Sequence, residues 1–415
     1  MAEKNHGSPL MNTNKQDSGM EIIEIFALAF GGKAVGRRDN GKVCFVRNAI
    51  PGEKVRVRIT ADKKNYSEGV VTEILTPSPE RISPQCPNPC PGCSYAHIPY
   101  PMELEWKQKQ FFSFAEKAKL QSSPAEFIQP PTGAVCRENW RNKIVLSIEK
   151  EKNSSAIQAG YRGEDNQTLI PVKDCLLARK EIREILRNRT WEKESLSCTV
   201  QRITFRHTKE NGVRILTGKT ENALTEELDG FGTFCTGENS FFQINPYMSG
   251  KLAEATLETV AKSALNNMIE LYCGCGVFSI LCTEHCLELK TVGIELDPVA
   301  IKYAKQNAAA HGVSERCRFF AGDSATVFRK HYPAGVPKGT LLLIDPPRTG
   351  LDKNALELLC RSKADAIVYI SCSPDTLFRD LAVLEKSGYR IQKSRLIDMF
   401  PTTSHFESIS YLQKR

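Results

Sequence analysis

The stretch that decides the fold is Met268-Ile269-Glu270-Leu271-Tyr272-Cys273-Gly274-Cys275-Gly276. Its first five residues read as a buried strand, which runs straight into two close glycines. Glycines placed directly after a first strand let the backbone approach a nucleotide-like ligand. A second apolar strand, Val292-Gly293-Ile294, ends at Glu295. That is about 20 residues on, where a carboxylate meets ribose hydroxyls in nucleoside-binding sheets. The full G-x-G-x-x-G of dinucleotide enzymes is absent, and nothing marks a pyrophosphate crevice. The pattern therefore predicts S-adenosylmethionine (SAM) rather than NAD.

Outward from this stretch, helical and buried-strand patterns alternate from about Gly237 onward, as in a doubly wound sheet. Tyr247 to Lys262 reads as an amphipathic helix with Met248, Leu252, Ala255 and Val260 along one stripe. Asp323 ends the next strand, either as a ligand for adenine or as a helix N-cap. Leu341-Leu342-Leu343-Ile344 is a fully apolar strand ending in Asp345-Pro346-Pro347-Arg348. Two prolines fix an extended loop at the strand tip, where such folds bind ligands. Amino-group methyltransferases carry a similar Asp/Asn-Pro-Pro followed by an aromatic; here Arg348 takes that place.

A further apolar run, Ala366 to Ile370, leads into Ser371-Cys372-Ser373-Pro374. Ser373 suits a helix N-cap and Pro374 the first helical position. The Cys372 sulfur is then expected at a strand's carboxyl end beside the positive end of a helix dipole, which lowers a thiol's pKa. The bland alternative is a small buried residue closing a strand. Glu407, shortly before an expected terminal strand from Ser408 to Leu412, is a candidate base in company with Cys372 and otherwise a surface acid.

The amino-terminal half has a different character. Residues 1–19 are polar, read as a disordered tail, and lack the apolar core and cleavage pattern of a secretory signal. Short strands follow: Ile22 to Leu28, an Asn40-Gly41 hairpin turn, Val43 to Val46, and the alternating Val55-Arg56-Val57-Arg58-Ile59. This spacing predicts a small barrel of the oligonucleotide-binding kind, with Lys63, Lys64 and the arginines either on phosphates or simply solvated. Cys86, Cys90 and Cys93 then crowd a Pro/Gly-rich loop, and Cys175 is the expected fourth thiolate. Four thiolates suit an iron–sulfur cluster or tetrahedral zinc. The Cys-x3-Cys-x2-Cys spacing is also that of radical-SAM enzymes, but that reading needs no Cys175 and leaves the glycine-rich SAM stretch unexplained. A charged helix is expected over 100–121, with Leu104, Phe111, Phe112 and Phe114 as its apolar points. Strands at Ile144 to Ile148, Leu169 to Val172, Val200 to Phe205 and Val213 to Leu216 make an α+β middle domain.

The 415 residues are enough for two or three domains, and the net charge of +8 implies an anionic partner. Fifteen cysteines without a secretory signal fit a reducing cytoplasm, and no apolar run approaches a membrane span. The expected division is a tail (1–19), a barrel (20–80), a cysteine loop with the α+β domain (81–236) and a Rossmann-like methyltransferase domain (237–415).

Taken together, the chain closely resembles the RNA (uracil-5-)-methyltransferases, specifically the iron–sulfur branch fronted by a TRAM domain and best known for ribosomal RNA. The likeness runs from about residue 20 to the end. It rests on Ile50-Pro51-Gly52-Glu53-Lys54-Val55, Phe241-Phe242-Gln243-Ile244-Asn245, Glu270 to Gly276, Asp345 to Arg348, Ser371 to Pro374 and Asp398 to Glu407. Members of the branch space the first two cluster cysteines by five residues, where this chain has three. The resemblance implies that Gln243, Tyr272, Glu295 and Asp345 line the SAM site, that Cys372 is the nucleophile and Glu407 the base, and that the cysteines hold a [4Fe–4S] cluster. It also implies RNA as partner, ribosomal before transfer RNA, and a cytoplasmic enzyme, taken as monomeric by default. Uracil C5 is a poor nucleophile; thiolate addition at C6 makes it one. RNA cytosine-5 methylation uses the same attack, but its usual cysteine after a proline motif is replaced here by Arg348. A non-catalytic RNA-binding protein or an electron carrier needs neither Cys372 with Glu407 nor a SAM pocket.

Overall fold

Alternating apolar and polar residues close the first strands into a barrel. β1 (Met20–Leu28), β2 (Ala34–Arg37), β3 (Val43–Arg47), β4 (Lys54–Asp62) and β5 (Tyr66–Thr76) close in the order β1-β2-β3-β5-β4. On β4, Val55 and Val57 are buried while Arg58 is exposed and Arg56 half-buried, as a period of two requires. Arg56 is neutralised by Glu73 at 3.0 Å, whereas Arg58, Lys63 and Lys64 make no ion pair among the described residues. The computed structural model describes residues 19–86, 88, 90–150, 157–193, 201–218, 220 and 222–415. The expected tail therefore lies, except for Gly19, outside the described residues.

The chain divides into two compact units: Met1–Ser83 with His97–Pro99, which contains the barrel, and Pro84–Ala96 with Tyr100–Arg415. The second unit begins with the cysteine loop, α1 (Tyr100–Lys117), α2 (Pro124–Phe127) and β6 (Ile128–Thr132). A five-stranded antiparallel sheet follows, in the order β11-β10-β7-β8-β9. Its strands are β7 (Lys143–Lys150), β8 (Ile157–Arg162), β9 (Leu169–Pro171), β10 (Arg202–Thr208) and β11 (Gly212–Leu216). α3 (Lys180–Asn188) contributes Ile182 and Leu186 to the core that Trp140, Leu146 and Phe205 share. A hairpin of β12 (Ala223–Leu228) and β13 (Gly232–Gly237) leads onward.

The alternating pattern of the last third builds one eight-stranded sheet. In chain order come α4 (Pro246–Ser263), β14 (Asn267–Leu271), α5 (Val277–His285), β15 (Lys290–Glu295), α6 (Pro298–Ala310), β16 (Cys317–Ala321), α7 (Ser324–His331) and β17 (Thr340–Ile344). Then follow α8 (Lys353–Arg361), β18 (Ala366–Ser371), α9 (Pro374–Lys386), β19 (Tyr389–Ile397) and β20 (Glu407–Lys414). The strand order is β16-β15-β14-β17-β18-β20-β19-β6, parallel from β16 to β18, with β20 antiparallel to both neighbours. β17 and β18 are buried along their whole length, which explains their unbroken apolar runs. β6 adds itself to the edge beside β19, where Pro130 and Pro131 are tolerated because an edge strand need not donate outward. The direction of chain progression reverses between β14 and β17, which places the ligand crevice at their carboxyl ends. Among the described residues no helix is long and apolar enough to cross a membrane.

Candidate active site

The nucleotide-binding half of the crevice is shaped by three residues with positive φ: Tyr272 (66°), Gly274 (54°) and Gly276 (85°). A Cβ on Gly276 would stand 2.8 Å from the Phe319 ring and 3.2 Å from the Ala304 methyl, so packing as well as conformation demands glycine. Gly274 has open space around its Cα and lines the cleft. Tyr272 has no such freedom, and strain of about 1–3 kcal/mol at a non-glycine residue is typical of ligand clamps. Glu295 fixes the turn from the next strand, accepting from the Gly274 N–H at 3.1 Å and the Asp297 N–H at 3.0 Å.

The rest of the crevice opens from the same place. One cleft of about 520 Å³ is lined by Gln243, Tyr272, Glu295, Asp345, Cys372 and Glu407, residues from six separate segments. Asp323 is not among its lining residues. Its carboxylate accepts from the N–H of Thr326 at 2.9 Å and the Thr326 hydroxyl at 2.7 Å, capping α7. Of the two readings of Asp323, the cap is the one its bonds fulfil.

Three further cleft residues stand in the sequence only as members of the resemblance motifs, with no role attached. Phe241 is 68 % exposed, unusual for so large an apolar side chain, and presents its ring to the cleft. Phe400 also lines the cleft and packs on Trp140 with centroids 6.2 Å apart. Arg348 is exposed at the mouth, and its guanidinium makes no ion pair among the described residues. Only its place after the Pro-Pro step distinguishes it in the sequence.

The electrostatics of Cys372 reverse the expectation of a lowered pKa. Burial pushes the thiol up to about 12, the Glu407 and Asp345 carboxylates push the same way, and Arg348 pulls it down. Pro374 does occupy the first turn of α9, but the Ser373 hydroxyl bonds Asp375 at 2.7 Å instead of capping the helix. Desolvation and two like charges thus outweigh a helix end. Asp345 is raised by burial to about 7. Glu407 is raised well above the carboxylate range by burial and by Asp345, again opposed by Arg348. Glu407 Oε2 is buried without a hydrogen-bond partner, so it is free to act on something placed in the cleft. One cation therefore favours the ionised form of both Cys372 and Glu407.

The segments that carry these groups are tied together. Asn245 caps α4 with its Oδ1 and, through Nδ2, donates to the Met399 carbonyl at 2.8 Å. Asn142 N–H donates to the Ile244 carbonyl at 2.9 Å. The loop bearing Gln243 is thus anchored to the segment that leads to Glu407.

The four cysteines expected as ligands lie elsewhere in this unit. Cys86, Cys90, Cys93 and Cys175 are all unbridged. Burial raises the Cys90 and Cys93 thiols, and the charges of Cys86 and Cys175 raise both further, so the four sulfurs share one neighbourhood. Asn88 Nδ2 ties the loop to the Asp174 carbonyl at 2.6 Å, and the Tyr161 hydroxyl donates to Cys175 Sγ at 3.6 Å. Among the described residues no three His, Cys, Asp or Glu side chains are already arranged to hold a metal ion.

Residues 337–415 match the tRNA (Uracil-5-)-methyltransferase family, residues 23–72 the TRAM domain and residues 250–334 the methyltransferase small domain. The chain is 32 % identical over 429 residues to the 23S rRNA (uracil(1939)-C(5))-methyltransferase of Haemophilus influenzae, covering 93 % of this chain and 94 % of that one. It is 28 % identical over 458 residues to an uncharacterized RNA methyltransferase of Halalkalibacterium halodurans, covering 96 % and 98 %. Its fold matches the Pyrococcus abyssi tRNA (uracil-54, C5)-methyltransferase, solved with S-adenosyl-L-homocysteine, with a TM-score of 0.72 and 22 % identity over 94 % of this chain and 99 % of that one. The chain belongs to the RNA (uracil-5-)-methyltransferases, enzymes that transfer a methyl group from SAM to C5 of a uracil in RNA.

Proposed function

We propose that the chain methylates a uridine of ribosomal RNA, with Cys372 as nucleophile and Glu407 as base. The observation that carries this reading is the convergence of Cys372, Glu407, Asp345, Gln243 and Glu295 on one cleft at the β14/β17 crevice, with Glu407 Oε2 unpartnered. The ribosomal target is favoured by the Haemophilus influenzae relative over nearly the whole length. Transfer RNA is the alternative, favoured by the name of the matching family.

Gln243, Tyr272, Glu295 and Asp345 would hold SAM, Glu295 through its ribose hydroxyls, with Gly274 leaving the backbone open to it. Bound SAM supplies an electrophilic methyl group. Cys372 Sγ adds to C6 of the uracil as its thiol proton passes to a neighbouring carboxylate, for which Asp345, near 7, is suited. C5 becomes an enolate-like carbon, takes the methyl, and then loses its proton to Glu407 as the C6–sulfur bond breaks. Arg348 assists twice, because it favours both the thiolate and the glutamate anion. The target base must leave its stack, at a cost of a few kcal/mol, and the exposed Phe241 offers it a new stacking face. Arg58, Lys63 and Lys64 on the barrel offset part of that cost through phosphate contacts.

The four cysteines fit a [4Fe–4S] cluster, or zinc as the lesser alternative, by donor chemistry and shared neighbourhood. Cys86, Cys90, Cys93 and Cys175 would hold it, and its contribution there is to cross-link the loop to the turn before α3. We place the enzyme in the cytoplasm and take it as a monomer.

The test is methyl transfer from labelled SAM to separated, unmodified ribosomal and transfer RNAs, followed by nucleoside analysis. Label in 5-methyluridine of ribosomal RNA is expected. Label confined to transfer RNA moves the substrate, and label in 5-methylcytidine overturns the assigned base.

A further inference from the structure

Phe400 and Glu407 belong to one segment, residues 398–407, that leaves β19 and enters β20. What grips the start of this segment is α1, a helix 291 residues earlier in the chain. Lys107 of α1 is wholly buried. It donates to Asp398 Oδ1 and Glu103 Oε1, each at 2.8 Å, and to the Phe400 carbonyl at 3.2 Å. Three acceptors thus meet the three donors of one ammonium group. Glu103 in turn accepts from the Thr402 N–H at 2.6 Å and from Arg137 at 3.1 Å, and the Tyr100 hydroxyl donates to Asp398 Oδ2 at 3.0 Å.

The turn so gripped is unusual. Thr402 has φ of 70°, a left-handed conformation that a β-branched residue avoids, and its carbonyl accepts from the Tyr95 N–H at 3.0 Å. A strained turn persists only where its surroundings over-determine it. Burying Lys107, Glu103 and Asp398 together is also a poor way to gain stability, since apolar side chains of similar volume do as well or better. Both costs fall on the one segment that supplies a cleft wall and the base.

We infer that Lys107 is a positioning residue: its bonds to Asp398, Glu103 and Phe400 set the 398–402 turn so that Phe400 closes the cleft and Glu407 reaches the C5 proton. The inference rests on the reading of Glu407 as the base.

The experiment compares wild type, Lys107→Met and Glu407→Gln on ordinary uridine RNA with SAM. It measures released 5-methyluridine and the denaturation-resistant protein–RNA adduct at Cys372. Misplacing the base stalls the enzyme after methyl transfer and before elimination. Lys107→Met is therefore expected to slow product release by about 10- to 100-fold while adduct accumulates, with SAM affinity held within about twofold. Tyr100→Phe keeps the ring but removes the hydroxyl that bonds Asp398 and the Ala134 N–H, and is expected to move the same ratio less. It decides the matter if Lys107→Met does not fold. Adduct and product falling together, or both unchanged, in the folded variants while Glu407→Gln accumulates adduct would overturn the positioning role. Normal turnover by Glu407→Gln would instead remove the base assignment, and the inference with it.

Discussion

Cysteine thiols meet other titratable groups at two places in this molecule, and the two places are built in opposite ways. At the cleft, Cys372, Asp345 and Tyr272 stand just past the ends of β18, β17 and β14, and Glu407 is the first residue of β20. Rigid, buried strands bring these groups together from sequence positions far apart. In the cysteine loop three of the four thiols lie within eight residues of sequence, and the fourth arrives on the turn before α3. The cleft is preorganised by the sheet, with Arg348 opposing the carboxylates. The loop thiols lie in one neighbourhood but, among the described residues, without a ready-made ligand geometry, so the cluster proposed for them would have to complete their arrangement. Catalytic groups need fixed positions before the substrate arrives; a structural clip does not.

This contrast can be broken most severely at Cys372, the proposed nucleophile. Cys372→Ala is expected to lower kcat by about 10⁴-fold or more while SAM affinity, by calorimetry, stays near wild type. Next, Glu407→Gln should reduce turnover by roughly 10²- to 10⁴-fold and leave the Cys372–uracil adduct trapped on gels. Arg348→Met tests the shared cation. It should cost about 10²-fold, and the acid limb of the kcat/KM–pH profile should move to higher pH. The sign follows because losing the cation raises the pKa of Glu407, which must be ionised to take the C5 proton, and makes the Cys372 proton harder to remove. In the wild type the same limb should rise through the region near the Asp345 value of about 7. At the loop, Cys175→Ser should release bound iron and bleach the anaerobic protein. It should lower the thermal midpoint by a few degrees yet leave kcat within about tenfold. Loss of kcat as large as that of Cys372→Ala would erase the distinction between clip and catalyst.

The sequence revealed the cleft better than its electrostatics. The glycines at 274 and 276, the Asp345-Pro346-Pro347 step and the stop of β18 before Cys372 are local signals, because strand ends and tight turns write themselves into adjacent residues. The direction of the Cys372 shift was not legible. A helix end can be read from Ser373-Pro374, but burial and the carboxylates of residues 345 and 407 arrive only with the fold. α1 was legible as a helix but not as a buried one. Nothing local to a charged helix marks Glu103 and Lys107 for burial, because their partner Asp398 lies near the other end of the chain. β6 was missed for a similar reason, since its neighbour in the sheet is β19, and two prolines argue against a strand. Phe241 carried only motif resemblance; its exposure is a property of the cleft.

The central claim is that Cys372 bonds covalently to C6 of an RNA uracil. Its most direct test is to incubate the protein with SAM and RNA carrying 5-fluorouridine, whose fluorine cannot leave as a proton does, and to map the adduct by mass spectrometry. The account predicts a stable cross-link on the peptide containing Cys372, with one methyl group added to the base. Folded, SAM-binding protein that forms no adduct, or forms it on another residue, would contradict it.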